Sequence, residues 1–329
     1  MTLLRASLAF ALLSGTTGLI AVPGDSKPQL LLQGDLVNVD SIADLSHGFL
    51  KWSHGALLYV DARSHSAPSF YTLDREGRLI SSTTLNIPDA TLISTGDFDR
   101  APDGTIIFTG ESYSSDGRGT PFIAWISPTG QTERVIRTDP YHPYTVAVAL
   151  DGTVWTMGCE MINHDVRAPG LNPDASVLRH FDQQGRLIGS GGPQSQFKTQ
   201  TQISRLVHGY LAATRDRVGW YSLIDGPGRY VEISTSTMQT TIYPGFAPVS
   251  GGRVTSLALT DAGQAYIESW DPVSHTRITY RLNRGTSQWV PVQAPPFAEA
   301  RFGPSLMGND GEQLVFYNAH KAGFFSPAN

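Results

Sequence analysis

The sequence predicts an all-β protein, a β-propeller of about six four-stranded blades whose ring is closed by an N-terminal strand. Three observations predict it. A turn-and-strand signal returns at a near-constant interval, a second signal lags behind it, and one N-terminal strand is left without a blade of its own.

The first signal is a polar, glycine-bearing turn followed by an apolar strand. It reads His54-Gly55-Ala56-Leu57-Leu58-Tyr59, Asp103-Gly104-Thr105-Ile106-Ile107-Phe108 and Asp151-Gly152-Thr153-Val154-Trp155-Thr156. It returns as Ala262-Gly263-Gln264-Ala265-Tyr266-Ile267 and Asp310-Gly311-Glu312-Gln313-Leu314-Val315. Gly55, Gly104 and Gly152 lie 49 and 48 residues apart, and Gly263 and Gly311 lie 48 apart. The 111 residues between Gly152 and Gly263 make two periods plus an insertion. A degenerate copy, Arg215-Asp216-Arg217-Val218-Gly219-Trp220, falls inside that gap, although His208-Gly209-Tyr210 offers a competing register.

The second signal joins two more strands. It appears at Tyr71–Leu79, Trp125–Gly130, His180–Leu187, Val231–Met238 and Tyr280–Gly285. Polar turns between alternating runs are hairpin signatures, and two hairpins per repeat make four strands. Blades are expected at 47–90, 95–138, 142–192, 204–246, 252–294 and from 303 onward. The last lacks its outer part. The run Gln29–Val39 has strand character and is expected to supply that missing strand, removing an edge that would invite aggregation.

At these residues the chain resembles six-bladed propellers of the NHL-repeat and SMP-30/gluconolactonase type, in which runs like Asp151–Trp155 and Phe181–Leu187 recur blade by blade. The resemblance covers most of residues 47–315 and implies fold; fold by itself does not give function.

Composition narrows the classes. A net charge of −5 supplies no broad basic field, so nucleic acid is not an expected partner. Residues 1–21 have the layout of a secretory signal: Arg5, then the apolar run Ala6–Leu13, then small residues. The run is too short and interrupted to span a membrane. Residues 22–46 then form an N-terminal segment holding the closing strand, and 47–329 the propeller. The expected location is periplasmic or extracellular, as a monomer with no transmembrane segment in the mature chain. With the single cysteine, Cys159, no internal disulfide can form, so packing and ring closure must supply the stability.

In a propeller, the loops entering each first strand and those joining second to third strands share one face, around the channel mouth. His47, His65, His142, His164, His275 and His320 fall in those segments. Histidine binds metals and moves protons near neutral pH, yet long loops also collect polar residues of every kind. The candidate binding face comprises Tyr141, His142, Glu160, His164, Asp165, Glu111, Glu268 and Trp270. Tyr141 and His142 sit between Pro140 and Pro143, which suits a rigid site or a rigid connector. Glu160, His164 and Asp165 open a long insertion and carry oxygen and imidazole donors fit for a divalent cation, or for a solvated loop. Glu111, Glu160 and Glu268 each follow a second strand, and Trp270 at a loop edge is placed to stack on a ligand. Asp97, Asp99 and Asp103 occupy positions one, three and seven, not the one, three and five of a calcium loop, so turn chemistry is expected there.

The sequence therefore predicts an exported propeller that binds a ligand or protein partner at the channel mouth, with no identifiable catalytic constellation. The alternative is a metal-dependent hydrolase or lyase, lactonase-like by the resemblance, with Glu160, His142 and Glu268 as candidate ligands of a divalent metal cofactor. A third reading, a purely structural envelope protein, predicts no defined pocket.

Overall fold

The computed structural model describes residues 30–38, 48–61, 67–160, 172, 174–193, 209–222, 228–246, 252–293, 305–318 and 321–327. Residues 1–21, expected to be a signal peptide, lie outside them. The described residues contain twenty-four strands and no helix.

Each blade is an antiparallel meander. The first blade is β2 (Gly48–Ser53), β3 (Ala56–Asp61), β4 (Ser69–Leu73) and β5 (Leu79–Thr84). The second is β6 (Leu92–Arg100), β7 (Ile106–Tyr113), β8 (Gly119–Ile126) and β9 (Thr132–Arg137). The third is β10 (Tyr141–Val148), β11 (Val154–Glu160), β12 (Ser176–Phe181) and β13 (Leu187–Pro193). The fourth is β14 (Tyr210–Ala213), β15 (Arg217–Ser222), β16 (Arg229–Ser234) and β17 (Thr240–Pro244). The fifth is β18 (Arg253–Leu259), β19 (Ala265–Asp271), β20 (Thr276–Asn283) and β21 (Gln288–Gln293). The sixth takes β22 (Ser305–Asp310), β23 (Gln313–Asn318) and β24 (Lys321–Pro327) from the C-terminal end, and its fourth strand is β1 (Leu30–Asn38). β1 runs antiparallel to β24 from Leu32↔Pro327 to Asn38↔Lys321. At its start it also touches β21 in parallel at Leu30↔Val292 and Leu31↔Gln293. The expected N-terminal closure is thus present. The register of the fourth blade is settled as well: Tyr210 begins β14, and the turn lies at Thr214–Arg217, closed by Thr214 N–H donating to Arg217 O at 2.8 Å.

Two turn chemistries repeat because the side chains build the turns. Asp103 and Asp151 accept the backbone N–H two residues on, from Thr105 and Thr153, each at 2.9 Å. Asp74 and Asp182 accept the N–H groups two and four residues on and pair with Arg78 and Arg186 at 2.7 and 2.6 Å. The glycine in each such turn has φ near +80°, as at Gly77 (78°) and Gly152 (78°), where a side chain would be strained.

A blade buries both faces against its neighbours, so its middle strands read as continuous apolar runs; β3 is buried at all six positions. The outermost strand is wet, as in β5, where Leu79 and Ile80 are about half exposed. The described core divides into six clusters, one per blade junction. Phe70, Phe108 and Phe122 fill the first; Trp125, Val148 and Phe181 the second; Trp155, Leu178 and Trp220 the third. Tyr221, Tyr230 and Tyr280 fill the fourth, and Tyr266, Leu306 and Phe316 the fifth. Trp52 and Leu73 from the first blade meet Val315 and Phe324 from the sixth in the last, which completes the ring.

Four first strands carry a register shift: Thr95/Phe98 in β6, Pro143/Thr145 in β10, Val254/Ser256 in β18 and Leu306/Gly308 in β22. A bulge re-aims side chains, and these four aim theirs at the central channel.

Candidate functional site

At one end of the channel the six first strands surround an open cavity of about 540 Å³. Its wall includes Phe49, Asp97, Tyr144, Tyr210, Thr255 and Met307, one from each blade, with Glu268 and Arg277 behind β18. Phe49, 57 % exposed, places an accessible aromatic ring in that wall. Below this cavity lies a second of about 50 Å³. Lys51, Leu211, Leu257 and Met307 border both and form the constriction between them.

Lys51 dominates that constriction. Its Nζ donates to Phe98 O and Val146 O, both at 3.1 Å, and lies 3.7 Å from Oδ2 of Asp97 and of Asp99. Asp97 in turn accepts Val146 N–H at 3.0 Å, and Asp99 accepts Val148 N–H at 2.8 Å. One ammonium and two carboxylates therefore tie the first three blades together. Burial lifts the Asp97 carboxyl above its ordinary value, against the pull of Lys51. Burial works against the Lys51 ammonium, but the two aspartates outweigh it and hold its pKa above the ordinary value. This corrects the expectation of turn chemistry at Asp97 and Asp99: both lie inside β6, on one face, and bind the neighbouring blade. The signal was in the sequence, since aspartates two residues apart share a strand face and Lys51 interrupts an apolar strand.

The sequence-predicted residues divide into three local groups. Glu268 is 1 % exposed and lines the mouth cavity. It accepts Thr255 O–H and an Arg277 N–H, each at 2.6 Å, on Oε1, and Leu306 N–H at 2.6 Å on Oε2. The last bond crosses from the fifth blade to the sixth. Trp270 joins this group through Arg277, whose guanidinium stands 5.3 Å from the indole centroid, with the His275 ring 5.8 Å away on the other contact. Tyr210 faces the same arginine; burial raises its hydroxyl pKa, with Arg253 and Arg277 opposing and Glu268 reinforcing.

The second group belongs to the third blade. Tyr141 and His142 begin β10 and are not on a loop; Tyr141 is fully buried and His142 is 7 % exposed. The Tyr141 hydroxyl donates to Val177 O at 3.0 Å and meets Thr156 Oγ1 at 3.1 Å. Arg179 covers its ring at 4.0 Å and pairs with Glu160, which also accepts Asn172 Nδ2–H at 2.8 Å. His142 stacks near Tyr144, centroids 6.3 Å apart.

The third group lies between the second and third blades. Glu111 accepts the Tyr113 hydroxyl at 2.7 Å, and burial together with that carboxylate pushes Tyr113 up to about 12. Tyr144 reaches from the cavity wall toward Cys159, whose thiol burial pushes up to about 11. Cys159 is 3 % exposed, so at neutral pH it should react negligibly with a thiol reagent in the native state and fully after unfolding. Rapid native labelling would contradict its placement. Glu111 and Glu160 do not border the mouth cavity; Glu268 does. His47, His65, His164, Asp165, His208 and His320 lie outside the described residues. Among the described residues, no three His, Cys, Asp or Glu side chains gather as a metal site would need.

No protein-family model matches the chain, and no curated protein sequence matches it. Solved structures do resemble it. A Bacteroides fragilis protein named as a candidate exported protein is 11 % identical, with 91 % of this chain and 96 % of that one covered, at a TM-score of 0.53. A Synechocystis apocarotenoid oxygenase mutant is 12 % identical over 79 % of this chain, at a TM-score of 0.44; the chain spans 62 % of that oxygenase's length. The Dos1 propeller is 11 % identical, with 85 % of this chain and 78 % of that one covered, at a TM-score of 0.42. At such identities the likeness to the Bacteroides protein is one of fold: this chain is an all-β, six-bladed propeller.

Proposed function

We propose that the protein is an exported propeller that binds a small ligand or a protein segment in its channel mouth. The observation that carries this reading is the open cavity of about 540 Å³ walled by all six blades, with a partly aromatic lining and a floor narrowed by Lys51, Leu211, Leu257 and Met307. Concave sites of that size with a few placed polar groups are the usual form of a ligand site. Its charged groups are already engaged: Glu268 with three donors, Lys51 with two carboxylates. Such groups orient a ligand at the wall; they are not free to hold a metal. The hydrolase or lyase alternative needs converging ligands, and Glu160 and Glu268, two of its three candidates, are each paired with an arginine in different blades.

Export is supported by the charged, apolar and small-residue order of residues 1–21. Kinship with NHL-repeat and SMP-30/gluconolactonase-type propellers is part of the same proposal. It is supported by the aspartate-built turns at Asp74, Asp103, Asp151 and Asp182.

A thermal-shift screen of a metabolite library against the wild type and Ser256→Trp tests the mouth. Ser256 borders the cavity, and an indole there intrudes on it. Compounds that raise the melting temperature of the wild type should lose that effect in the variant. Hits that stabilise both proteins equally would place the site elsewhere.

A further inference from the structure

A groove of about 280 Å³ opens between the second and third blades on the face opposite the mouth. It is made from the repeated turns: Asp103, Asp151 and Gln183 from three of them, with Trp125, Glu133 and Arg134 from β8 and β9. The same junction elsewhere in the ring shows what fits it.

In the first blade the turn reads Leu73-Asp74-Arg75-Glu76-Gly77-Arg78-Leu79, and in the third Phe181-Asp182-Gln183-Gln184-Gly185-Arg186-Leu187. Arg75 reaches into the preceding blade. Its guanidinium lies 4.2 Å over the Phe324 ring and bonds Asp310 at 3.3 Å and Gln313 at 2.6 Å. Arg284, after the turn residue Asn283 of the fifth blade, does likewise and pairs with Glu232 of the fourth. Gln183 holds the matching place in the third blade. It is shorter and neutral, and its Nε2–H turns back to Asp151 O at 2.6 Å. Trp125 occupies the position of Phe324, on the third strand of the preceding blade.

We propose that this groove binds a guanidinium group supplied by a ligand, in the way Arg75 fills the junction of the sixth and first blades. Three carboxylates, Asp103, Glu133 and Asp151, line the groove with one guanidinium, that of Arg134, while the Arg100 guanidinium outside the lining also feels the Asp103 charge. Arg134 stands 5.7 Å from the Trp125 centroid and donates to Gln183 O at 3.1 Å, which holds it at the outer edge. Asp103 and Asp151 each use Oδ1 for their own turns, and Oδ2 meets no donor among the described residues. Carboxylates are the chemistry that recognises a planar cation, and Trp125, 4 % exposed, borders the groove without offering an open ring face.

The test is isothermal titration of the full chain with arginine methyl ester and with acetyl-Gly-Arg-Gly-amide, at constant ionic strength. Lysine methyl ester is the control. Saturable millimolar binding of the arginine compounds is expected, with lysine methyl ester weaker. The tighter of the two arginine probes tells a free ligand from an arginine carried on a partner protein. Gln183→Arg rebuilds the internal plug that two other blades already carry and should abolish binding. Asp103→Asn with Asp151→Asn keeps the turn acceptors and should weaken binding at least about fivefold. Absence of saturable binding to the wild type, equal binding of lysine methyl ester, or binding indifferent to both variants would overturn the proposal.

Discussion

Lys51→Met is expected to destabilise the protein by about 3 kcal/mol at neutral pH, the low end for breaking a buried ion pair. The low end applies because the lysine side chain retains 24 % of its exposure, facing the channel. Methionine fills the same space but leaves Asp97 and Asp99 without their cation, and two carbonyls without a donor. The deficit should depend on pH with a definite sign. The Asp97 carboxyl is already raised above 3.8 by burial with Lys51 present, and removing the cation raises it further. A carboxyl whose folded pKa exceeds its unfolded value takes up a proton on folding, so stability falls as pH rises through the interval between the two. The variant's deficit should therefore be largest at neutral pH and shrink as pH is lowered toward 3.8. Lys51 itself acts at the other end of the scale. Its folded pKa is raised, so its stabilisation is complete below 10.5 and is lost as pH climbs through the folded value; the variant lacks that alkaline loss. Urea unfolding of both proteins across pH measures this, and a pH-independent deficit would contradict the assignment.

Glu268→Gln should cost roughly 3 kcal/mol or more, although the shapes match. Three donors converge on two carboxylate oxygens: Thr255 O–H, Arg277 N–H and Leu306 N–H. An amide offers one acceptor and turns an NH₂ group against the remaining donors, while Arg277 loses its counter-charge. Because Leu306 lies in the sixth blade, the damage should spread to the junction of the fifth and sixth blades. Faster hydrogen exchange in β22 of the variant, with the first three blades unaffected, is the expected pattern. Uniform acceleration around the ring, or none, would show that Glu268 does not act as that tie.

The architecture was legible because its determinants are local. Aspartates that close their own turns and glycines at positive φ repeat in the chain as they repeat in space, so the blade count follows from spacing. The closing strand was legible for a related reason: an apolar run without a blade and a blade without an outer strand are complementary. The site was far less legible. Tyr141 and His142 looked like a rigid loop because prolines flank them, but a bulge at Pro143/Thr145 lets β10 accept the proline and bury both residues. Glu160 and Glu268 stood out as carboxylates, whereas the arginines that neutralise them, Arg179 and Arg277, lie 19 and 9 residues away on neighbouring strands. Lys51 and Asp97 are 46 residues apart, nearly one period, so their pairing appears only when blades are laid side by side. The bulges leave no local sequence mark, and they decide which side chains face the channel.

On the function proposed above, the mouth is a recognition surface whose carboxylates hold blades together and do not hold a metal. Elemental analysis of the purified protein, before and after chelator treatment, tests this most directly. No stoichiometric calcium, magnesium, manganese or zinc is expected, with an unchanged melting temperature after chelation. Near-stoichiometric metal that the chelator removes, with a fall in stability, would contradict this reading.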